Sequence, residues 1–160
     1  RFGIQEFYKL TSQLQRALAK RVPLRKGGFL VIEQTEAMAV IDVNSGSPAG
    51  RMDFEELAYS TNCAAAEEIA RQMRLRNLSG IIVVDFIDMR REEHKTALLD
   101  LLRKATHSDP RRTTIHGMTN LGLVEISRQK KSLPLQVSIQ LEAGGQSYEE
   151  FLEDHEENSD

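Results

Sequence analysis

Two aspartates of this chain each stand at the end of an apolar run, where a carboxylate can do chemistry. Asp42 follows residues 37–41, and Asp85 follows residues 81–84. Short runs rich in β-branched residues predict buried strands, and a lone carboxylate on a buried strand must be paired, protonated or bound to a metal ion. Asn44 lies two residues after Asp42, so on a strand the two side chains share a face. Two carboxylates beside a neutral amide suit Mg²⁺, which proteins hold with one or two carboxylates, waters and substrate phosphate.

Other roles for these residues stay open from the pattern alone. Asp42 and Asp85 could cap turns or pair with arginines, because structural ion-pair networks also contain carboxylates. Asn44 begins an Asn-Ser-Gly sequence, which is typical of a turn. Asp88 lies three residues after Asp85, so strand alternation places it on the opposite face, where it could cap a following helix.

Hydrophobic periodicity and turn residues divide the chain into helices and strands. We predict a helix over 2–22, a hairpin over 28–44, a helix over 53–76, a strand over 81–88, a helix over 91–105 and a strand over 113–119. Residues 121–129 fit either a strand or a short helix, and residues 135–141 are a strand candidate. The predicted fold class is α/β, with a mixed sheet and flanking helices.

The order strand, helix, strand around Asp42 and Asp85 is a βαβ pattern. It places the two aspartates on neighbouring parallel strands. Both then lie toward the carboxyl ends of their strands, which is where α/β sheets place ligands. Asp53 is predicted to cap the helix between the strands, with a glutamate three residues later.

The composition permits an anionic partner and favours a reducing compartment. Cys63 is the only cysteine, which excludes an internal disulfide and a cysteine-rich zinc site within one chain. This fits a cytoplasmic protein, and without a run of 18 or more apolar residues no membrane span is expected. Of the 24 acidic residues, seven lie in residues 145–160, which contain no Lys or Arg. The remaining body is therefore basic, and the tail is acidic.

Three stretches of the sequence together resemble the ribonuclease E/G family. They read G-G-F-L-V-I-E-Q-T-E-A-M-A-V-I-D-V-N-S-G, then E-E-L-A-Y-S-T-N-C-A-A-A-E-E-I-A-R-Q-M-R-L-R-N-L-S-G-I-I-V-V-D-F-I-D-M, then L-G-L-V-E-I-S-R-Q-K. The resemblance extends over roughly residues 3–135 and is far more specific than one short motif.

The resemblance implies a catalytic subdomain of deoxyribonuclease-I-like fold. Enzymes of this family cut single-stranded RNA with Mg²⁺ and leave 5′-phosphate and 3′-hydroxyl ends. The family's metal-binding aspartates map onto Asp42 and Asp85, and its catalytic asparagine maps onto Asn44. Its basic residues near the site suggest Arg112 and Arg128 as contacts to RNA phosphate.

The resemblance also implies a division of the chain. Residues 1–24 resemble the end of a ribonuclease-H-like subdomain, residues 25–141 form the catalytic α/β subdomain, and residues 142–160 form the acidic tail. The family's S1 domain and 5′-end sensor are not present in these 160 residues, and residues 136–160 contain no counterpart of its zinc-sharing cysteine pair.

The implied partners are single-stranded RNA and a second copy of the chain, paired through the catalytic subdomain. The alternative function is a non-catalytic module that binds RNA or protein and retains the ancestral metal site. The composition of the acidic tail is typical of a disordered segment. An alternative hypothesis is that the tail mimics RNA and competes with it for the basic body.

Overall fold

The computed structural model describes residues 13, 17–35, 37–46, 53–135 and 138. These residues contain six strands and two long helices. The strands are β1 (Arg21–Pro23), β2 (Phe29–Gln34), β3 (Met38–Asn44), β4 (Gly80–Asp85), β5 (Thr113–Met118) and β6 (Leu123–Arg128). The helices are α1 (Phe54–Leu75) and α2 (Glu92–Thr106). The strands form one mixed sheet in the order β1-β2-β3-β4-β6-β5. The predicted α/β class with a mixed sheet is confirmed.

The β3–α1–β4 unit is the only parallel connection among the described strand pairs. β2 and β3 form the predicted antiparallel hairpin, and β3 pairs with β4 in parallel. A parallel pair needs a crossover, and the 22-residue helix α1 supplies it. The predicted βαβ arrangement around Asp42 and Asp85 is therefore confirmed.

The sheet has one covered face and one open face. Burial alternates along the central strands, so that every second side chain packs under α1 and α2. The core on the covered face includes Ile41, Ile82, Val84, Val124 and Ile126. On the open face, Val40 and Ile81 are 37% and 53% exposed. This corrects the expectation of strands buried on both sides, since helices cover only one side of the described sheet.

Helix α1 begins and ends as its sequence predicts. Asp53 is the N-cap, and its side chain accepts a hydrogen bond from the Glu55 N–H at 3.4 Å. Asn77 follows the helix with a positive φ of 55°, a conformation that asparagine tolerates better than most residues. Ile69 and Met73 are fully buried, as the apolar periodicity predicts. In the described part of the chain, no helix is both long and apolar enough to cross a membrane.

The predicted helix over 2–22 is wrong at its end. Arg21–Pro23 form β1, which pairs with β2 in the register Val22↔Leu30. Proline is acceptable there because β1 is an edge strand, where no ladder bond is lost on the solvent side. Residues 1–12 and 14–16 lie outside the described residues.

The structure decides two further predictions, one for a strand and one against a strand. Residues 121–129, which fitted either period, contain the strand β6, paired on both sides by β4 and β5. The strand predicted over 135–141 is wrong at Leu135 and Ser138, which are helical, and the Ser138 N–H donates to the Pro134 carbonyl at 3.0 Å. The rest of that segment and the acidic tail lie outside the described residues.

Candidate active site on the open face of the sheet

Asp42 and Asp85 are register partners on the adjacent parallel strands β3 and β4. Adjacent strands lie about 4.8 Å apart, and partners in a parallel pair project from the same face. Both aspartates belong to the open face, and both are exposed. The carboxylates therefore do not bear the desolvation cost that a buried strand would impose, which corrects the premise from which the sequence interpretation began.

Asn44 joins the two aspartates on this face. Its Nδ2 donates to Asp42 Oδ2 at 2.7 Å, which holds the amide and the carboxylate side by side. Asn44 is the last residue of β3, and the chain turns away at Gly46, whose φ is +75°. A Cβ on Gly28 would lie 2.4 Å from the Asn44 carbonyl oxygen, so glycine is required there for β2 and the end of β3 to approach.

The donor chemistry of this trio fits Mg²⁺. Asp42 and Asp85 supply hard carboxylate oxygens, and only one of those four oxygens accepts a hydrogen bond from the described residues. Mg²⁺ typically uses one or two carboxylates and keeps several waters. Within the described residues, no group of three or more His, Cys, Asp or Glu side chains is placed to hold a metal ion. The arrangement fits a two-carboxylate site completed by water and phosphate, and it does not fit an all-protein cage.

A polar cleft of about 260 Å³ adjoins the Asp85 end of β4. Residues 86–89 form one wall and residues 118–122 form the other, with Lys95 at the side. Asp85 pairs in register with Leu123, immediately after the second wall. The cleft therefore lies just beyond the carboxyl end of β4, and neither Asp42 nor Asp85 lines it.

Arg128 lies on the covered face, away from the trio. Its side chain is 2% exposed and is ion-paired with Asp109 at 2.7 Å. All three guanidinium nitrogens donate within the chain, since Nε and Nη2 bond Asp109 and Nη1 bonds the Leu78 carbonyl at 2.8 Å. Burial raises the pKa of Asp109, but the hydrogen bonds from Arg128 and the Arg111 N–H outweigh burial and lower it. Because this side chain is buried with all three nitrogens engaged, it is not exposed to an RNA phosphate and instead stabilises the fold.

Arg112 is exposed but stands at the other end of the sheet. It precedes Thr113, which pairs with Arg128, and Arg128 pairs with Gly80 at the start of β4. Asp85 ends β4 five residues later, or about 17 Å along the strand. The fold therefore brings Asp42, Asn44 and Asp85 together, but it does not bring Arg112 or Arg128 to them.

Two residues that the sequence interpretation did not single out hold the segment that follows Asp85. Asn62 on α1 is fully buried and bonds both backbone groups of Ile87, at 2.8 and 3.0 Å. Glu55, 8% exposed, accepts the N–H groups of Arg90 and Arg91 at 2.8 and 3.2 Å. The signal for Asn62 was an amide inside an otherwise apolar helical stretch, because a buried amide requires partners.

The electrostatics of Glu55 follow from those contacts. The Arg90 N–H is the largest cause, burial opposes it, and the Arg91 N–H and His94 add to it, which lowers the pKa of Glu55 to about 2. Glu55 also bonds His94 Nδ1 at 2.8 Å, and the His94 ring stacks on Tyr59 with ring centroids 4.2 Å apart. Glu55 thus occupies the place at the start of α2 that Asp88 was expected to take, since α2 has no side-chain bond from its own cap residue.

Comparison with known proteins decides the family. Residues 2–131 match the profile of the Ribonuclease E/G family, a span that includes all five candidate residues. This chain belongs to the ribonuclease E/G family. Ribonuclease G of Salmonella typhimurium (strain SL1344) is 44% identical over 127 residues, which is 79% of this chain and 26% of that protein.

Ribonuclease E proteins match a similar share of the chain. Ribonuclease E of Nostoc sp. (strain PCC 7120) is 46% identical over 131 residues, which is 82% of this chain and 19% of that protein. Ribonuclease E of Escherichia coli (strain K12) is 46% identical over 125 residues, or 78% of this chain and 12% of that protein. The chain therefore spans about a quarter or less of the ribonuclease E/G relatives that it matches.

Proposed function

We propose that this chain is the Mg²⁺-dependent catalytic subdomain of an endoribonuclease, which cuts single-stranded RNA in cytoplasmic RNA processing and decay. The observation that carries the proposal is the register pairing of Asp42 with Asp85, with Asn44 hydrogen-bonded to Asp42 on the same exposed face. Family membership supports it, because relatives named ribonuclease G and ribonuclease E share this segment. A deoxyribonuclease-I-like identity of the subdomain and pairing with a second copy belong to the same proposal.

Each member of the trio has a role that follows from its chemistry. Asp42 and Asp85 would hold Mg²⁺ through their carboxylates, and Asn44 keeps the Asp42 carboxylate oriented through its Nδ2. The amide oxygen of Asn44 accepts no hydrogen bond from the described residues and can orient the attacking water. When bound, Mg²⁺ supplies stabilisation of the negative charge that develops on the scissile phosphate.

The proposed reaction is hydrolysis of one phosphodiester bond. The oxygen of a water molecule bonds to phosphorus while the bond from phosphorus to the 3′ oxygen breaks. The 3′ oxygen takes up a proton, the attacking water loses one to solvent, and the phosphate remains on the 5′ end of the downstream product. This direction of cleavage gives the 5′-phosphate and 3′-hydroxyl ends that the proposal requires.

The proposed path of the substrate crosses the open face of the sheet. An RNA strand lying over β3 and β4 reaches the aspartates from solvent, and the polar cleft beside Asp85 accepts the nucleotide next to the scissile bond. Arg112 remains a proposed phosphate contact for a strand that continues toward the Gly80 end of β4. Single-stranded RNA suits such a shallow surface, because its unpaired bases can spread over side chains.

The test is Mg²⁺-dependent cleavage of a 5′-labelled single-stranded RNA by the whole 160-residue chain. Asp42→Asn should abolish cleavage with no loss of thermal stability, because the substitution keeps the side-chain shape at an exposed position. Glu125→Gln is the matched control, since Glu125 is an exposed carboxylate on the same face of β6. Cleavage by Asp42→Asn at the wild-type rate would refute the proposal. RNA binding without any Mg²⁺-dependent cleavage would favour the non-catalytic module.

A further inference from the structure

Arg21 is an exposed cation fixed over an aromatic ring on the open face. Its guanidinium carbon lies 3.5 Å from the centroid of the Phe29 ring. Arg21 and Phe29 are diagonal neighbours on β1 and β2, because Arg21 pairs with Val31 and Pro23 pairs with Phe29. Among the residues that the structure describes, no carboxylate forms an ion pair with Arg21. The exposed guanidinium is therefore held over the ring by this contact and not by a carboxylate of the described residues.

Arg21 and Phe29 lie beside the candidate active site on the open face of the sheet. Phe29 is the register partner of Asn44, and the row Arg21, Val31, Asp42 and Asp85 crosses four neighbouring strands. With about 4.8 Å between strands, the Arg21 backbone lies about 10 Å from that of Asp42. A long arginine side chain can cover part of this distance, so its guanidinium can reach a group bound beside the aspartates.

Charge on the open face explains why a cation is needed here. Asp42, Asp85 and Glu125 place three carboxylates on adjacent strands, and these repel an RNA phosphate. Among the described open-face positions of the six strands, Arg21 is the only Lys or Arg. Lys20, just before β1, is also near this face but is ion-paired with Glu33, so among the described residues Arg21 is the strand cation left to meet a polyanion here.

We propose that Arg21, positioned by the Phe29 ring, binds an RNA phosphate next to the scissile one. This inference rests on the proposed function, because it places the RNA strand across β1, β2 and β3 toward Asp42. A guanidinium presents two parallel N–H groups that match phosphate oxygens. Stacking on Phe29 keeps the fork oriented before RNA arrives, so less side-chain freedom is lost on binding.

The test measures binding of a labelled single-stranded oligouridylate by the full chain in EDTA, where no Mg²⁺-dependent cleavage occurs. Arg21→Ala should weaken binding roughly tenfold, the effect of losing one charged hydrogen-bonded contact. It should also reduce the slope of log affinity against log salt by about 0.7, the value for one phosphate contact on a single strand. Arg103→Ala is the matched control, because Arg103 is an exposed arginine on α2, which packs against the covered face.

Phe29→Leu separates positioning from simple apolar contact. If Phe29 acts through Arg21, the substitution weakens binding in the wild-type background and has no further effect in Arg21→Ala. Arg21→Lys should keep the salt slope but bind less tightly, because an ammonium keeps the charge and loses the fork. Circular dichroism melting checks that each variant is folded, so that a loss of binding is not a loss of structure.

Several outcomes overturn the inference without touching the proposed function. Unchanged affinity and salt slope in Arg21→Ala would remove Arg21 as a phosphate contact, even if Asp42→Asn abolishes cleavage. Additive effects of Phe29→Leu and Arg21→Ala would refute positioning by the ring. A different outcome, no RNA binding by the wild-type chain even at low salt, would overturn the inference and would count against the proposed function as well. Conversely, an Asp42→Asn variant that cleaves RNA refutes the proposed catalytic centre. The RNA affinity of Arg21→Ala then still decides whether Arg21 contacts a phosphate.

Discussion

Asn62 bonds both backbone polar groups of Ile87, two residues beyond Asp85. Its Nδ2 donates to the Ile87 carbonyl at 2.8 Å, and its Oδ1 accepts the Ile87 N–H at 3.0 Å. Asn62 has no exposed surface, so neither bond is shared with bulk water. Helix α1 thereby fixes the path of the chain as it leaves β4, and with it the direction in which Asp85 is presented.

Replacing Asn62 should destabilise the protein. In Asn62→Ala both groups of Ile87 lose their partner, and each unsatisfied buried group costs about 1–3 kcal/mol. Urea unfolding measures the loss, and Ser60→Ala on the same helix is the control, because Ser60 forms no side-chain hydrogen bond with the described residues. Equal unfolding free energies for Asn62→Ala and the wild type would mean that the two bonds do not hold this segment.

Glu55 should make stability depend on pH in acid. Its folded pKa of about 2 lies below the ordinary value of 4.5, so its carboxylate stabilises the fold fully above about pH 4.5. That contribution is lost as the pH falls through 4.5 toward 2. Unfolding free energies of wild type and Glu55→Gln should therefore differ most near pH 6 and converge toward pH 2. A difference that is constant from pH 6 to pH 2 would contradict the assignment.

Arg128 should matter for folding and not for RNA. Breaking a buried ion pair on one side leaves an uncompensated charge and costs about 3–5 kcal/mol. Arg128→Met should lose stability of that order, and Arg128→Met combined with Asp109→Leu should recover part of it. Thermal melting of the wild type and these two variants checks this. If Arg128→Met melts like the wild type but binds RNA more weakly, the arginine faces RNA after all.

The part of the site that sequence predicted rests on local patterns. Asp42 and Asp85 could be placed on neighbouring parallel strands because a strand, a long helix and a strand in sequence indicate a parallel crossover. Their pairing in register is seen only in the structure. Asp53 was recognisable as a cap because its bond reaches only to Glu55. Such features depend on residues that are close in the sequence, so they can be predicted without a structure.

The remaining features depend on contacts between distant residues. Glu55 meets Arg90 across 35 positions, and Arg128 meets Asp109 across 19, and no periodicity records either pair. The open face was missed because an apolar run such as 81–84 reads the same whether one or both faces are covered. The helix predicted over 2–22 is wrong at Arg21 and Val22 because pairing with β2 overrides the local helical pattern there.

If Asp42 and Asp85 bind one divalent ion together, replacing either aspartate should abolish binding of that ion. Mn²⁺ is a paramagnetic probe for the proposed Mg²⁺ site, and it broadens the backbone amide signals of nearby residues in an NMR spectrum. We expect broadening at substoichiometric Mn²⁺ centred on Asp42, Asn44 and Asp85, removed by Asp42→Asn or by Asp85→Asn and retained in Glu125→Gln. Broadening centred elsewhere on the chain, or retained in full by either aspartate variant, would contradict a shared metal site on this face.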